Sequence, residues 1–195
     1  MRLSELERPF ICTSLADHTV KETIASIRRA EYEGARAFEV HLPLVDFPDR
    51  ETVAELTGAT AAPIYATCRR GTFYELLGAE GAVDLPESER TDVLLEAIKA
   101  GFNGVDVELD TFGPTVEPAE FSTDGIRNYA SDPDATVAQV SDDQDAIERQ
   151  RAFVNAVHDR DADVMFSAHT YRHLEPADAV AIVERMTDRG ATSAR

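Results

Sequence analysis

The chain reads as an α/β protein with a parallel sheet. Apolar runs of strand length alternate with runs of helical period along most of its 195 residues. Each helical run but the last lies between two strand-like runs, and parallel strands need a crossover of that length. The helical runs also carry start and stop signals.

The first strand is read at 10–16, FICTSLA. The helix after it, TVKETIASIRRAEYEG, opens with a capping box of Thr19 and Glu22 and stops at Gly34. AFEVHLPLV, 37–45, is the second strand, followed by a short helix in DRETVAELTGA. PIYATCR, 63–69, is the third strand, and RTDVLLEAIKAGF is the next helix. GVDVELD, 104–110, is the fourth strand. A long helix, SDDQDAIERQRAFVNAVHDRDA, is read with a capping box of Ser141 and Gln144. DVMFSAH, 163–169, is the fifth strand; the last helix, EPADAVAIVERMTDRG, has Pro176 in its first turn and Gly190 at its end. Two stretches interrupt the alternation. Residues 111–140 are read as a long loop or insertion, a lid or arm within a single 1–195 domain, and 70–90 as a second long loop.

Composition narrows the function classes. With 43% apolar residues the chain is ordinary globular material. No apolar run approaches the ~20 residues of a membrane span, and MRLSELERPF has no signal-peptide core, so a cytoplasmic protein is expected. Cys12 and Cys68 are too few for a disulfide framework and are read as buried thiols. Net charge is −18, from 37 acidic against 19 basic residues, and only Lys21 and Lys99 are lysines. An acidic surface spread along the chain resembles that of halophile proteins, whose self-repulsion salt screens. It argues against nucleic acid or an anionic membrane as partner. No glycine-rich phosphate loop follows the first strand.

Residues two apart on a strand share a face. Four strands end in such a polar pair: Glu39 with His41, Thr67 with Arg69, Asp106 with Glu108, and Ser167 with His169. The carboxyl ends of parallel strands form one edge, where ligands bind, so the pairs are expected to converge on a site. His169 suits general acid/base work near neutral pH. Arg69 suits a bidentate grip on a substrate carboxylate. Asp106 and Glu108 can orient the histidine or bind metal. His173 is read as loop or helix surface.

The runs ICTSL, FEVHL, PIYATCRR, GVDVEL and VMFSAHTY, in this order and spacing, resemble the type I 3-dehydroquinate dehydratase family across essentially the whole chain. The resemblance implies a (β/α)8 barrel, here partial, with about five β/α units and strands six to eight missing. It implies removal of water from 3-dehydroquinate to give 3-dehydroshikimate, in the shikimate pathway of aromatic amino acid biosynthesis. That chemistry uses a lysine Schiff base as electron sink and a histidine proton shuttle, with no metal and no cofactor. The partner is then a small carboxylate substrate.

By the same resemblance His169 is the general acid/base and Glu39 the substrate-contacting glutamate of the E-x-R motif. Arg69 contacts substrate, and Asp106 and Glu108 support the histidine. His41, also placed among the substrate-binding residues, stands where the family has arginine, and Pro43 where it has aspartate. After Arg69, RGTFYELLGAEG lacks the E-G-G turn. These departures mark a divergent branch. The family's lysine comes from strand six, whereas Lys21 and Lys99 both lie in helix-period runs on the outside. The amine is therefore expected to be absent and the activity of the chain alone impaired. A full barrel takes about 250 residues. An interrupted reading frame is the favoured explanation, with a complementing chain or a homodimer as the others. Two further classes stay open: a metal-dependent barrel isomerase or aldolase with Glu39, His41, Asp106, Glu108 and His169 as ligands, and a non-catalytic half-barrel that binds a partner through open edges.

Overall fold

A computed structural model describes residues 1–45, 50–76, 82–114, 123–136 and 138–194. Six parallel strands run side by side in chain order: β1 (Ile11–Leu15), β2 (Ala35–His41), β3 (Ile64–Thr67), β4 (Gly104–Glu108), β5 (Asp163–Ser167) and β6 (Ser193–Ala194). Helices α1 (Val20–Tyr32), α2 (Arg50–Gly58), α3 (Gly71–Leu76), α4 (Glu87–Ala100), α5 (Thr123–Ser131), α6 (Gln144–His158) and α7 (Pro176–Asp188) lie between them. The result is a half-barrel, a partial (β/α)8 barrel, with every strand paired in parallel to the next.

The alternating faces of the strands explain why they read as continuous apolar runs. Phe38, Val40, Ile64, Ala66, Val105, Val107, Val164 and Phe166 face the helices and join Ile27, Leu56, Leu94, Ile98, Val154 and Val157 in one core. Each of the larger side chains, the valines, leucines, isoleucines and phenylalanines, contributes about 1.5–3 kcal/mol by burial. The opposite face carries Ala37, Tyr65 and Met165, covered at its lower end by Leu3 and Leu6. Tyr65 donates to the buried Asp163 carboxylate at 2.7 Å. Gly104 makes room for that ring, since a Cβ there would lie 2.3 Å from Tyr65 Cε1.

The helix signals hold at several ends. Thr19 and Glu22 form the capping box of α1, Pro176 opens α7, and Gly34 and Gly190 follow α1 and α7 with φ of 105° and 94°. At α6 the cap differs. Asp143 accepts from Ala146 N at 2.8 Å, while Ser141 Oγ accepts from Asp143 N, because the helix starts at Gln144 itself. A sixth strand, absent from the five-strand reading, pairs Ser193 and Ala194 with Met165 and Phe166; two residues carry no periodicity to detect. Helix α5 lies within 111–140, and α3 within 70–90. The rest of the two expected loops falls partly, at 77–81, 115–122 and 137, outside the described residues. Cys68 is buried as expected, but Cys12 is exposed, because β1 is an edge strand and its inner face opens on the hollow of the half-barrel.

Candidate active site at the carboxyl ends of the strands

Glu39 and His41 end β2, Asp106 and Glu108 end β4, and Ser167 ends β5. Strands β3 and β5 stop two residues before Arg69 and His169, so these two side chains stand on the turns just beyond the sheet. Glu39, His41, Arg69, Asp106 and Glu108 are all buried, and His169 is half-buried. The pairs singled out in the sequence share one strand edge, as the parallel topology requires.

Glu108 is the electrostatic centre. Arg90 Nη2, from α4, donates to its Oε2. Arg69 Nε lies 3.5 Å from its Oε1, and Arg70 Nη1 lies 4.0 Å from the same oxygen. Burial by itself would raise the carboxyl pKa; Arg90, then Arg70, Arg69 and His169, outweigh it and hold the group below the usual carboxylate range. Arg70 also donates to Asp110 Oδ1 at 2.9 Å, and Arg90 to Glu87 Oε2 at 3.0 Å. Three arginines thus meet three carboxylates, Glu87, Glu108 and Asp110, in one desolvated cluster.

His41 is held from both sides. Its Nε2 lies 2.9 Å from Ser14 Oγ, and its Nδ1 3.2 Å from the Tyr74 hydroxyl. That hydroxyl also accepts from Arg69 N at 3.4 Å, and burial pushes its pKa up, so it stays protonated. Both ring nitrogens therefore have a hydroxyl partner, and each hydroxyl can donate or accept. Phe73 stacks on the His41 ring with centroids 5.9 Å apart and planes 5° apart. The Arg69 guanidinium carbon sits 3.5 Å from the Phe73 ring centroid, and the His169 ring centroid lies 6.3 Å from it. Asp106 accepts from Ser167 Oγ at 2.6 Å, tying β4 to β5. The turn bearing His169 is anchored by its carbonyl, which accepts from Gln139 N at 2.8 Å.

Below this edge lies a hollow of about 710 Å³, lined among others by Phe10, Cys12, Ser14, Glu39, Met165 and Ser193. The set can grip an anion, hold an ionised carboxylate beside a histidine, and exclude water on the helix side. Among the described residues no three of His, Cys, Asp and Glu gather as a metal ion would require, so the five-ligand arrangement considered for a metal enzyme is not assembled. His173 is exposed, 3.5 Å from Glu175. Lys21 and Lys99 are exposed on α1 and α4, and Lys99 pairs with Glu96. No described helix is long and apolar enough to cross a membrane.

Sequence reasoning missed Ser14, Arg70, Phe73, Tyr74 and Arg90. Arg90 left a signal: it occupies the buried register of α4 with Leu94, Ala97 and Ile98, where a charge needs a partner. Phe73 and Tyr74 lay in a stretch read as loop and gave none.

Comparison with known proteins agrees with this architecture. The model of the type I 3-dehydroquinase family matches residues 11–195. Among solved structures, the chain is similar to the type I 3-dehydroquinate dehydratase of Clostridium difficile, with 17% identity and a TM-score of 0.63 over 96% of this chain and 62% of that one. The 3-dehydroquinate dehydratase of Geobacillus kaustophilus gives 15% and 0.64 over 100% and 65%, and that of Enterococcus faecalis 13% and 0.63 over 95% and 64%. The chain therefore spans less than two thirds of the length of each of these relatives. No curated protein matches it. With the family model covering nearly all of its length and the half-barrel placing the matched strands in order, the chain belongs to the type I 3-dehydroquinase family.

Proposed function

We propose that this chain provides the acid/base and substrate-holding part of a 3-dehydroquinate dehydratase site. The observation that carries the reading is the strand-end cluster in which arginines hold Glu108 ionised on the same strand edge as His169. His169 takes the proton from the carbon beside the substrate ketone and returns a proton to the departing hydroxyl, giving the enone and water. Glu108 favours the protonated imidazole between these two steps. Arg69 holds the substrate carboxylate, and Glu39 contacts its hydroxyls. His41 stands where arginine would provide a second cationic grip, and Ser14 and Tyr74 engage both its nitrogens. Asp106, bonded to Ser167, keeps β4 and β5 in register beneath the histidine.

The Schiff-base step needs an amine. Neither lysine of these 195 residues stands at the strand ends, so the amine comes from further β/α units, which also cover the open edge beside β1. The dispersed acidic surface suits a cytoplasm of high salt. The exposed Ile11 and Cys12 on that edge support a second reading, a half-barrel that binds a partner without catalysis.

The test is calorimetric titration with 3-dehydroquinate in molar KCl. Saturable binding weakened at least tenfold by Arg69→Gln is expected. Absence of saturable binding up to millimolar substrate contradicts the dehydratase reading and favours the second.

A further inference from the structure

We propose that Arg90, on the outer layer of the half-barrel, is a positioning residue that fixes the Glu108 carboxylate in place at the strand edge that also bears His169. The proposal rests on the acid/base reading of that pair. Arg90 is almost wholly buried, and each of its three nitrogens has a separate anchor. Nε donates to the Cys68 carbonyl beyond the end of β3 at 2.8 Å. Nη1 donates to Glu87 Oε2, in the first turn of its own helix, at 3.0 Å. Nη2 donates to Glu108 Oε2 at the end of β4.

A planar fork with two points fixed to β3 and α4 fixes the third. The other cations do not constrain Glu108 in this way. Arg69 and Arg70 approach Oε1 at 3.5 and 4.0 Å, Arg69 is stacked on Phe73, and Arg70 makes its closest bond to Asp110. The charged groups around Glu108 are thus Arg69 and Arg70 from the turn after β3, Arg90 and Glu87 from α4, Asp106 and Asp110 from β4 and the turn after it, and His169 from the turn after β5. Among the described residues Arg90 donates the hydrogen bond to this carboxylate while its two other nitrogens are held by Cys68 and Glu87, whereas Arg69 and Arg70 approach at ion-pair distance with their nearest partners elsewhere. A residue that merely staples α4 to the sheet needs the Cys68 bond alone.

The two roles separate in the titration of the His169 imidazole, followed by NMR on the full chain in molar KCl and assigned with His169→Asn. Glu108→Gln removes the negative charge and is expected to lower the His169 midpoint by about half a unit or more. Arg90→Lys keeps the positive charge and removes the fork. It is expected to lower the midpoint in the same direction, and to add little on top of Glu108→Gln in the double variant. An Arg90→Lys midpoint equal to the wild type, with Glu108→Gln shifted, overturns the positioning role and leaves the acid/base pair standing. An unshifted Glu108→Gln overturns the pair and the positioning role together. Should Arg90→Lys fail to fold by circular dichroism, Glu87→Ala, which frees one arm of the fork and keeps Arg90, is read in its place against Glu87→Gln, which removes the same charge and keeps an acceptor. A midpoint lower in Glu87→Ala than in Glu87→Gln supports the proposal, and equal midpoints overturn it.

Discussion

Replacing Glu108 by glutamine tests whether the buried cluster is held together as described. The Arg69 contact at 3.5 Å and the Arg70 contact at 4.0 Å are worth about 5 and 4 kcal/mol of direct attraction at an effective dielectric constant near 20. Desolvation of the carboxylate opposes this gain by several kcal/mol. Removing one partner is more costly than that balance suggests, because the remaining charges stay buried. Glutamine keeps an acceptor for Arg90, but it leaves Glu87 and Asp110 as the carboxylates paired with three buried arginines. The expected loss at neutral pH is about 3–5 kcal/mol. The folded-state pKa of Glu108 is lowered, so its contribution is complete above the unfolded value of about 4.3 and is lost as pH falls through the folded value. The gap between wild type and Glu108→Gln should therefore be full at pH 7 and close in acid. Urea unfolding in molar KCl, repeated from pH 7 downward, measures both. A loss below about 1 kcal/mol at pH 7, within the range of an exposed ion pair, would refute the cluster as an organising feature.

Two further outcomes follow from the packing. Arg189 donates to Leu109 O at 2.8 Å, to Gln150 Oε1 at 2.9 Å and to Ser141 O. Gln150 Nε2 also serves Leu109 O, so Arg189→Met deprives two acceptors, Gln150 Oε1 and Ser141 O, of this donor. A cost of about 2–4 kcal/mol is expected in the same unfolding assay, and an unchanged midpoint would contradict it. The two thiols should differ in reactivity: Cys12 is exposed, whereas Cys68 is buried with its pKa pushed up to about 12 by burial. Alkylation of the native chain followed by peptide mass mapping should label Cys12 and spare Cys68 until the chain unfolds.

Much of the fold is legible from pattern because parallel strands covered by helices leave a strong apolar signal. The strands from Ile11 to Ser167, the Thr19 cap and the Gly34 and Gly190 stops are read directly. The site is legible to the extent that strand alternation places Glu39, His41, Asp106 and Glu108 on one face. What pattern does not reach is what those residues touch. His41 reads as a substrate ligand, yet it is engaged by Ser14 from a neighbouring strand and by Tyr74 from a helix in an expected loop. Glu108 reads as a support for histidine, yet Arg90 from an outer helix bonds it. Such contacts join positions 18 to 33 residues apart, and no local periodicity records them. Cys12 fails for a related reason: strand composition gives the pleat but not whether a strand is an edge.

Whether the site lacks its amine is tested by incubating the chain with 3-dehydroquinate, reducing with borohydride and mapping the peptides by mass. With Lys21 and Lys99 on outer helices, both lysines should remain unmodified while substrate still binds. A stable adduct on either lysine would show that it reaches the substrate ketone and would contradict the division of labour proposed for this half-barrel.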